Sequence, residues 1–378
     1  MTIDLSAPGV GSLAGKHFPL TVVSQSMAKC FKRCPLQFKY KYLDELAPRV
    51  HSKPLERGKW FHSLLETYYR PADDQENGPN GEYRKTWEDV HKRMSHKFSG
   101  LFDEEKEDLG DLPREMESLM ESYLWHYDSD QSWIVHEVEK TIEVPLPFLS
   151  GVNLKLRLDM LVEDEYGLWV VDHKTHKTIP KTTDRLLDLQ SPLYVWACHE
   201  AGIPVTGFKW NYVLAKAPSV PKMAYVGKPR QGLSQAACST DYLTFVRTVK
   251  AYQKEYGLKI TPEIKQRADF LKSQRYDYHK PVQTSDFFLR ITLERDEAMI
   301  QRALRELHHT AKRILEYDFS EEWVERNQDR GCNFMCSYRD LCLTEYMGGA
   351  AELVRRKNYV QQDPWAYYME GKPDDPVE

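Results

Sequence analysis

The sequence predicts an α/β protein, with a sheet in the middle of the chain and helices before and after it. Apolar and polar residues alternate between 134 and 171, as in β-strands. A helix over about 184–200 and a strand over about 205–214 follow. Apolar residues recur at the helical period before residue 133 and beyond residue 240.

These patterns divide the 378 residues into five parts. The first is rich in Gly, Ala, Ser and Pro, which is typical of a loosely held terminus. The predicted parts are a flexible arm at 1–20, an N-terminal helical region at 21–132, a core at 133–220, a C-terminal helical region at 221–346 and a tail at 347–378.

The first helices are expected from Ser24 and over 55–70. The segment between Met27 and Trp60 holds nine Lys or Arg and three Asp or Glu, within a chain of net charge −5. This local positive charge fits a solvated helix face or one wall of a phosphate-binding groove. Further helices are expected over 84–98 and 113–127, on either side of an acidic break at 103–108.

The strands form a predicted meander. Ile134–Pro145 is the first strand, and Glu139 on it alternates outward as a surface residue. On the second strand Leu154, Leu156 and Leu158 alternate with polar residues, and a turn at 163–167 leads to the third strand, 168–171. Beyond 240 the chain is expected to be helical, notably over 240–256 and 292–316.

Composition excludes several classes of protein. Apolar residues make up 41% and aromatic residues 12%, which excludes global disorder. No apolar run reaches the roughly 18 residues that a membrane span needs. The first twenty residues lack the basic and apolar segments of a secretory signal, so a cytoplasmic protein is expected. The mild acidity argues against coating nucleic acid by bulk charge, but not against a local basic groove.

The strongest local pattern is Asp159 followed by Asp172-His173-Lys174. Asp172 and Lys174 are two residues apart at a strand end and so share a face. If the two strands pair, both carboxylates and the lysine converge. Two adjacent carboxylates suit a divalent cation, and a nearby lysine can orient water or stabilise developing charge. The alternative is a simple cross-strand ion pair.

Several motifs together resemble the RecB-like branch of the PD-(D/E)xK nuclease superfamily, which includes the RecB and AddB nuclease domains and CRISPR-associated RecB-like exonucleases. They span roughly 24–342 in the order of that branch. The matching residues are Ser24-Gln25-Ser26 with Cys34-Pro35, Gly58-x-x-x-His62, Asp159, Asp172-His173-Lys174, and Gln190-x-x-x-Tyr194. Pro192 lies inside the last motif, so the helix should kink or restart there.

The resemblance implies a restriction-endonuclease-like core with a central mixed sheet, extended by N- and C-terminal helices. It also implies a role for each matching residue. Asp159 and Asp172 would bind Mg²⁺ or Mn²⁺ together with His62 and the backbone carbonyl of His173. Lys174 would position or activate the attacking water. Gln190 and Tyr194 would contact DNA or support the site.

The cysteines form a second candidate site. Three of the seven, Cys332, Cys336 and Cys342, lie within eleven residues, and three thiolates need a fourth ligand to hold an iron–sulfur cluster or a structural zinc. The resemblance implies a 4Fe–4S cluster with Cys34 as that ligand, tying the two ends of the chain together. The first gap here has three residues, whereas the branch usually has two. Zinc and unmetallated thiols remain alternatives.

The sequence therefore predicts a metal-dependent deoxyribonuclease, most simply an exonuclease acting on free ends of linear DNA in recombination, repair or phage DNA processing. A phage-encoded protein would act in the host cytoplasm. No G-x-x-x-x-G-K-[ST] motif is present, so a helicase, recombinase or CRISPR-adaptation protein would be a separate partner. One rival is a non-catalytic DNA-end-binding or scaffold subunit of a recombination or CRISPR-adaptation complex, and another is a zinc-clipped adaptor without a nuclease site.

Overall fold

The computed structural model describes most of the chain. The described residues are 10–13, 16–19, 21–49, 52–70, 86–127, 133–178, 182–226, 230–234, 238–277, 285–319, 324–333 and 336–366. Most of the predicted flexible arm and the end of the tail, residues 1–9 and 367–378, lie outside them. Within them, no helix is both long and apolar enough to cross a membrane.

The three-strand meander and the helix and strand after it follow the predicted order, and short strands also occur in the parts predicted to be helical. The strands are β1 (Val10–Leu13), β2 (Lys16–Pro19), β3 (Val22–Val23), β4 (Leu46–Pro48), β5 (Ile134–Pro145), β6 (Asn153–Asp164), β7 (Gly167–His176), β8 (Gly207–Leu214), β9 (Met223–Val226), β10 (Arg230–Leu233), β11 (Phe288–Glu294) and β12 (Tyr359–Gln361). The helices are α1 (Gln25–Arg33), α2 (Pro35–Phe38), α3 (Lys53–Tyr69), α4 (Trp87–Ser99), α5 (Asp103–Leu109), α6 (Leu112–His126), α7 (Gln190–Glu200), α8 (Tyr242–Tyr256), α9 (Pro262–Ser273), α10 (Glu297–Glu316), α11 (Arg339–Tyr346) and α12 (Ala351–Asn358).

A six-stranded sheet forms the centre of the molecule, in the order β11–β8–β7–β6–β3, with β5 also paired to β6. The β7–β8 and β3–β6 pairs are parallel, and the other pairs are antiparallel. The predicted mixed sheet is therefore confirmed. Two of its strands, β3 and β11, come from outside residues 133–220.

The sheet has a gap along one edge of β6, between its pairing with β3 and its pairing with β7. Along one edge it pairs with β5 over almost its full length. Along the other edge it pairs with β3 at Asn153 and Leu154, and with β7 only from Met160 onward. The last bonded β6–β7 pair is Met160 with Val171, so the next two residues, Asp159 and Asp172, face each other where the strands separate.

Apolar side chains cover both faces of the sheet. On one face, leucines of β6 pack with α7 and α10, through residues such as Leu193 and Leu304. On the other face, α3, α4 and α6 pack on Val162 and Val171. Cover on both faces explains why consecutive residues of β7 and β8 are buried, including polar ones.

Apart from these short strands, three elements differ from the sequence expectations. The strand β11 lies where a helix was expected to begin near 292, and the acidic break holds the short helix α5. The helix α7 begins at Gln190, after a 3₁₀ turn over Thr182–Arg185. Pro192 therefore sits in the first turn, where its missing N–H has no intrahelical partner to lose.

Candidate metal and nucleic-acid site

The two aspartates predicted to bind metal lie at the fork between β6 and β7. Both are buried, with 5% of Asp159 and 2% of Asp172 exposed. The backbone N–H of His173 donates to Asp159 Oδ2 at 2.7 Å, which ties the second strand to the carboxylate of the first. The convergence expected from strand alternation is therefore observed.

Asp172 has two further polar neighbours. Lys174 Nζ lies 2.5 Å from Asp172 Oδ2 as an ion pair, and Gln190 Nε2 donates to Asp172 Oδ1 at 2.5 Å. Gln190 reaches the carboxylate because it is the first residue of α7, which starts above the fork. The sequence motifs on β7 and α7 thus meet at one carboxyl group.

The two carboxyl groups have opposite pKa shifts. Burial raises the pKa of Asp172 to about 7, with Asp159 adding to the rise and Lys174 opposing it. For Asp159, burial acts upward, but His62, Lys174 and His173 outweigh it and lower the pKa. Two buried carboxylates this close repel as anions, and a cation between them would relieve that repulsion.

Lys174 remains a cation in this setting. Burial works against its ammonium group, but Asp172 and Asp159 outweigh burial and raise the pKa. A charged lysine is a hydrogen-bond donor and not a proton acceptor. Its arrangement therefore suits orienting water or stabilising negative charge.

His62 reaches the same point from α3. Its Nδ1 lies 3.5 Å from Asp159 Oδ2, and burial lowers its pKa, with Asp159 opposing that shift. A neutral imidazole offers a lone pair to a metal. Gly58, one turn earlier, explains the approach, because a Cβ there would lie 3.1 Å from Thr175 Oγ1 on β7. The missing side chain lets α3 pack closely on the sheet.

A buried hydrogen-bond network supports His173 from behind. Asn211 Nδ2 on β8 donates to His173 Nδ1 and to Tyr123 Oη, each at 2.8 Å. Tyr123 Oη also lies 2.9 Å from Tyr69 Oη, and Arg290 donates to both hydroxyls. Burial lowers the pKa of His173 to about 3, so the ring is neutral and fixed in one tautomer.

We expect Asn211→Ala to lower the free energy of unfolding by about 1–3 kcal/mol, because it leaves buried polar groups without partners. Loosening His173 should also weaken Mn²⁺ binding about 10-fold or more, as loss of a residue that supports a metal ligand does. Denaturant unfolding and Mn²⁺ titration measure the two effects. The matched control is Asn153→Ala, whose exposed side chain donates to Glu143 on the same sheet. Equal unfolding energies for the two variants would contradict the proposed support.

The donor set at the fork fits a divalent cation by its chemistry. It combines two carboxylates and a neutral imidazole, and Asp172 Oδ2 has no hydrogen bond of good geometry within the described residues. Within the same part of the chain, no group of three or more His, Cys, Asp or Glu side chains stands in metal-binding geometry. Both oxygens of Asp172 face Lys174 and Gln190 instead.

These residues line a cavity of about 280 Å³. Tyr194 lines it as predicted, one turn beyond Gln190 on α7. Sequence analysis did not single out three cations on its wall, Lys41, Lys155 and Arg157. The last two could have been found, because they alternate with leucines on the same face of β6 as Asp159.

Glu139 is not the surface residue expected from its strand alternation. Its register on β5 places it directly opposite Asp159, and only 11% of its side chain is exposed. Its backbone φ is 56°, in the left-handed region that a glutamate rarely adopts. Burial raises its pKa to about 8, with the charge of Asp159 as the next cause.

The predicted thiol site lies where the two ends of the chain meet. The segment at 325–333 follows the start of α2, because Leu36 N–H donates to Glu325 O and Asn327 Nδ2 donates to Arg33 O, both at 3.1 Å. Further along, β12 pairs with β4, and Tyr338 Oη donates to Leu46 O at 2.6 Å. These contacts bring Cys34 toward the three C-terminal cysteines.

The thiols influence one another electrostatically. Burial raises the pKa of Cys336 and of Cys342, and negative charge at Cys34 adds to the rise in both. Cys30 also faces this region, and burial raises its pKa to about 12. The three-residue gap includes 334–335, which lie outside the described residues. Among the described residues, the cysteine side chains here form no group of three or more in metal-binding geometry.

The family of the chain follows from comparison with known proteins. The family model of the PD-(D/E)XK nuclease superfamily matches residues 22–343, and the chain belongs to this superfamily, whose nucleases use divalent metal ions. A solved structure described as "Crystal structure of SSO0001" matches with 13% identity and a TM-score of 0.21, over 66% of this chain and 82% of that one. No curated protein matches the sequence.

Proposed function

We propose that this protein is a Mg²⁺- or Mn²⁺-dependent deoxyribonuclease that degrades linear DNA from its ends. The observation that carries this proposal is the meeting of Asp159, Asp172, Lys174 and His62 in one cavity. A structural ion pair would need only one carboxylate. The second carboxylate, which disfavours ionisation of the first, has a purpose if a cation binds between them.

In the proposed site, Asp159, Asp172, His62 and the backbone carbonyl of His173 hold the cation. When bound, the cation would lower the pKa of a water molecule and stabilise charge on the phosphoryl oxygens. Asp159 is kept in place by the His173 N–H, and Lys174 orients water by donating a hydrogen bond. Gln190 holds the Asp172 carboxylate at the correct angle, and Tyr194 lies against the substrate.

That the protein acts at DNA ends, and the biological setting in which it acts, are inferred from the resemblance to RecB-like nucleases. We infer a role in recombination, repair or phage DNA processing, in the cytoplasm of a cell or of a phage host. A separate helicase, recombinase or CRISPR-adaptation protein would act with the nuclease, since the chain has no recognisable ATP-binding motif of its own.

We further propose that Cys34, Cys332, Cys336 and Cys342 bind a 4Fe–4S cluster. The support is the placement of Cys34 at the start of α2, where its charge acts on both Cys336 and Cys342. A cluster there would act as a structural clip, because it would close a loop of almost the whole chain. Structural zinc is the other metal that four thiolates suit.

A time course on end-labelled linear DNA and on closed circular DNA tests the nuclease proposal. We expect linear DNA to be shortened from its ends with Mg²⁺ or Mn²⁺, the circle to survive, and EDTA to stop the reaction. Release of the label from one end before the other gives the polarity. Cleavage of the circle would contradict the exonuclease proposal, and DNA binding without cleavage would support the scaffold alternative.

A further inference from the structure

The face of β6 that carries Asp159 also carries Arg157 and Lys155. Side chains two residues apart on a strand share a face and stand about 6.6 Å apart. All three residues line the cavity at the fork. Two cations therefore extend in a straight row from the proposed metal-binding carboxylate toward the start of β6.

Each of these cations has a carboxylate partner on the neighbouring strand. Arg157 Nε lies 2.5 Å from Glu139 Oε2, and Lys155 Nζ lies 3.2 Å from Glu143 Oε2. The acidic row on β5 thus runs beside the basic row on β6. The Lys155 pair is the more open of the two, since 24% of its lysine and 36% of its glutamate side chain are exposed.

The pair nearer Asp159, Arg157 with Glu139, is held under backbone strain. Glu139 has a left-handed backbone, which is unfavourable for a residue with a side chain, and its register places it opposite Asp159. Arg157, only 16% exposed, compensates one of the two negative charges. Strain and like charge retained next to a candidate active site are typical of a functional arrangement.

We propose that β6 is a phosphate track for one DNA strand. With the reacting phosphate at Asp159, the next two phosphates bind Arg157 and Lys155 and displace Glu139 and Glu143. Until then the two glutamates hold the cations in place. The row of cations is straight, which suits an extended, unpaired strand in a positively charged groove. Lys41 lines the same cavity from the N-terminal helices.

The track rests on the proposed nuclease function, but it is tested by binding and not by cleavage. The probe is a fluorescently labelled single-stranded oligonucleotide, with EDTA present, and its affinity is measured by anisotropy across a salt series. We expect Lys155→Gln and Arg157→Gln each to weaken binding about tenfold at low salt. Each should also reduce the slope of log K against log salt by about 0.7, the value for one lost single-strand contact.

The matched control is Lys140→Gln on β5. Lys140 pairs with Glu137 at 2.6 Å and does not line the cavity, so its loss should leave both affinity and slope unchanged. If Arg157→Gln unfolds because it leaves Glu139 buried without its partner, Lys155→Gln carries the test. An unchanged salt slope in folded Lys155→Gln would overturn the track.

Substitution of a glutamate should change DNA affinity in the opposite direction to substitution of a cation. If Glu143 competes with a phosphate for Lys155, Glu143→Gln should tighten DNA binding about two- to threefold, since an exposed ion pair contributes up to about 1 kcal/mol. A glutamate that only positions the lysine would instead give weaker binding on substitution. Weaker or unchanged binding would therefore overturn the proposed displacement.

Neutral methylphosphonate linkages locate the two contacts. A neutral linkage is placed at each position of the oligonucleotide in turn, and its effect on affinity is compared between the wild-type protein and each variant. The effect should be reduced in Lys155→Gln at one linkage and in Arg157→Gln at the adjacent linkage, nearer the cleaved bond. Effects that add independently at every linkage would overturn the track. If the protein cleaves DNA but the variants leave the salt slope unchanged, the track is wrong and the nuclease proposal stands. If the variants change the salt slope but the protein does not cleave DNA in Mg²⁺, the track stands and the nuclease proposal is wrong.

Discussion

Asp172→Asn is expected to lower the rate of metal-dependent DNA degradation about a thousandfold or more, and at the same time to raise the stability of the metal-free protein. Activity falls because an amide removes one of the two carboxylates that we propose hold the cation. Stability rises because the carboxylate is buried opposite Asp159, in an environment that disfavours its charge. Opposite effects on function and stability are typical of an active-site residue.

The pH dependence of this effect has a definite sign. The folded state raises the pKa of Asp172 from 3.8 to about 7, even with Lys174 beside it, so ionisation costs stability as pH increases through that range. The cost is fully present above about pH 7 and absent below about pH 4. The advantage of the variant in melting temperature should therefore grow from acidic to mildly alkaline pH. Mn²⁺ should raise the melting temperature of the wild-type protein only.

Asp164→Asn is the matched control for this experiment. Asp164 is also buried, at the end of β6, the strand that carries Asp159, but it pairs with Lys209 at 3.2 Å and accepts from Trp169 Nε1 at 2.8 Å. Its loss should lower the melting temperature and leave the folded protein active. A destabilised Asp172→Asn protein, or one that still degrades linear DNA, would contradict the site assignment.

If the thiol site holds a metal as proposed, Cys336→Ser is expected to release it and to separate the N-terminal helices from the segment at 324–366. A cross-link that closes a loop of about 300 residues stabilises by about 5 kcal/mol in the chain-entropy description. The loss should therefore appear as a large drop in melting temperature and as new proteolytic cleavage within 324–366. Iron, zinc and sulfide analysis, with the visible absorbance of anaerobically purified protein, identifies the metal.

Two other cysteines serve as controls. Cys238 contacts Ser219 O at 3.4 Å, away from the thiol site, so Cys238→Ser should keep the metal and the melting temperature. Cys30→Ala should also keep the metal, whereas Cys34→Ser should lose it. Metal loss in Cys30→Ala but not in Cys34→Ser would show that Cys30, and not Cys34, is the fourth ligand. A wild-type protein purified without metal would contradict the proposed metal clip.

Much of the candidate site could be predicted because its geometry follows from strand periodicity. Asp172 and Lys174 share a face by alternation, and a tight turn sets the register that places Asp159 opposite. The position of His62 depends on how closely α3 packs on the sheet, and the sequence pointed to His62 only through the Gly58-x-x-x-His62 motif. The start of α7 at Gln190 was not expected, but it agrees with the restart that Pro192 allowed, since proline is tolerated in a first helical turn.

Other features depend on long-range packing that leaves no local pattern. The left-handed backbone of Glu139 cannot be read from a glutamate in an alternating strand. The strand β11 sits next to a long amphipathic helix, so the helical pattern extended into it. Its pairing with β8, some 80 residues earlier, fixes it as a strand.

The origin of the sheet strands has a consequence for how the protein is made on the ribosome. The strand β3 must wait for Asn153 and Leu154 to be synthesised, and β8 stays an open sheet edge until Phe288–Glu294 emerges. Pairings so distant in sequence slow folding and expose apolar strands during synthesis. We therefore expect chains that end before residue 288 to aggregate or bind chaperones, so that the sheet carrying the fork is completed only after Phe288–Glu294 has been synthesised.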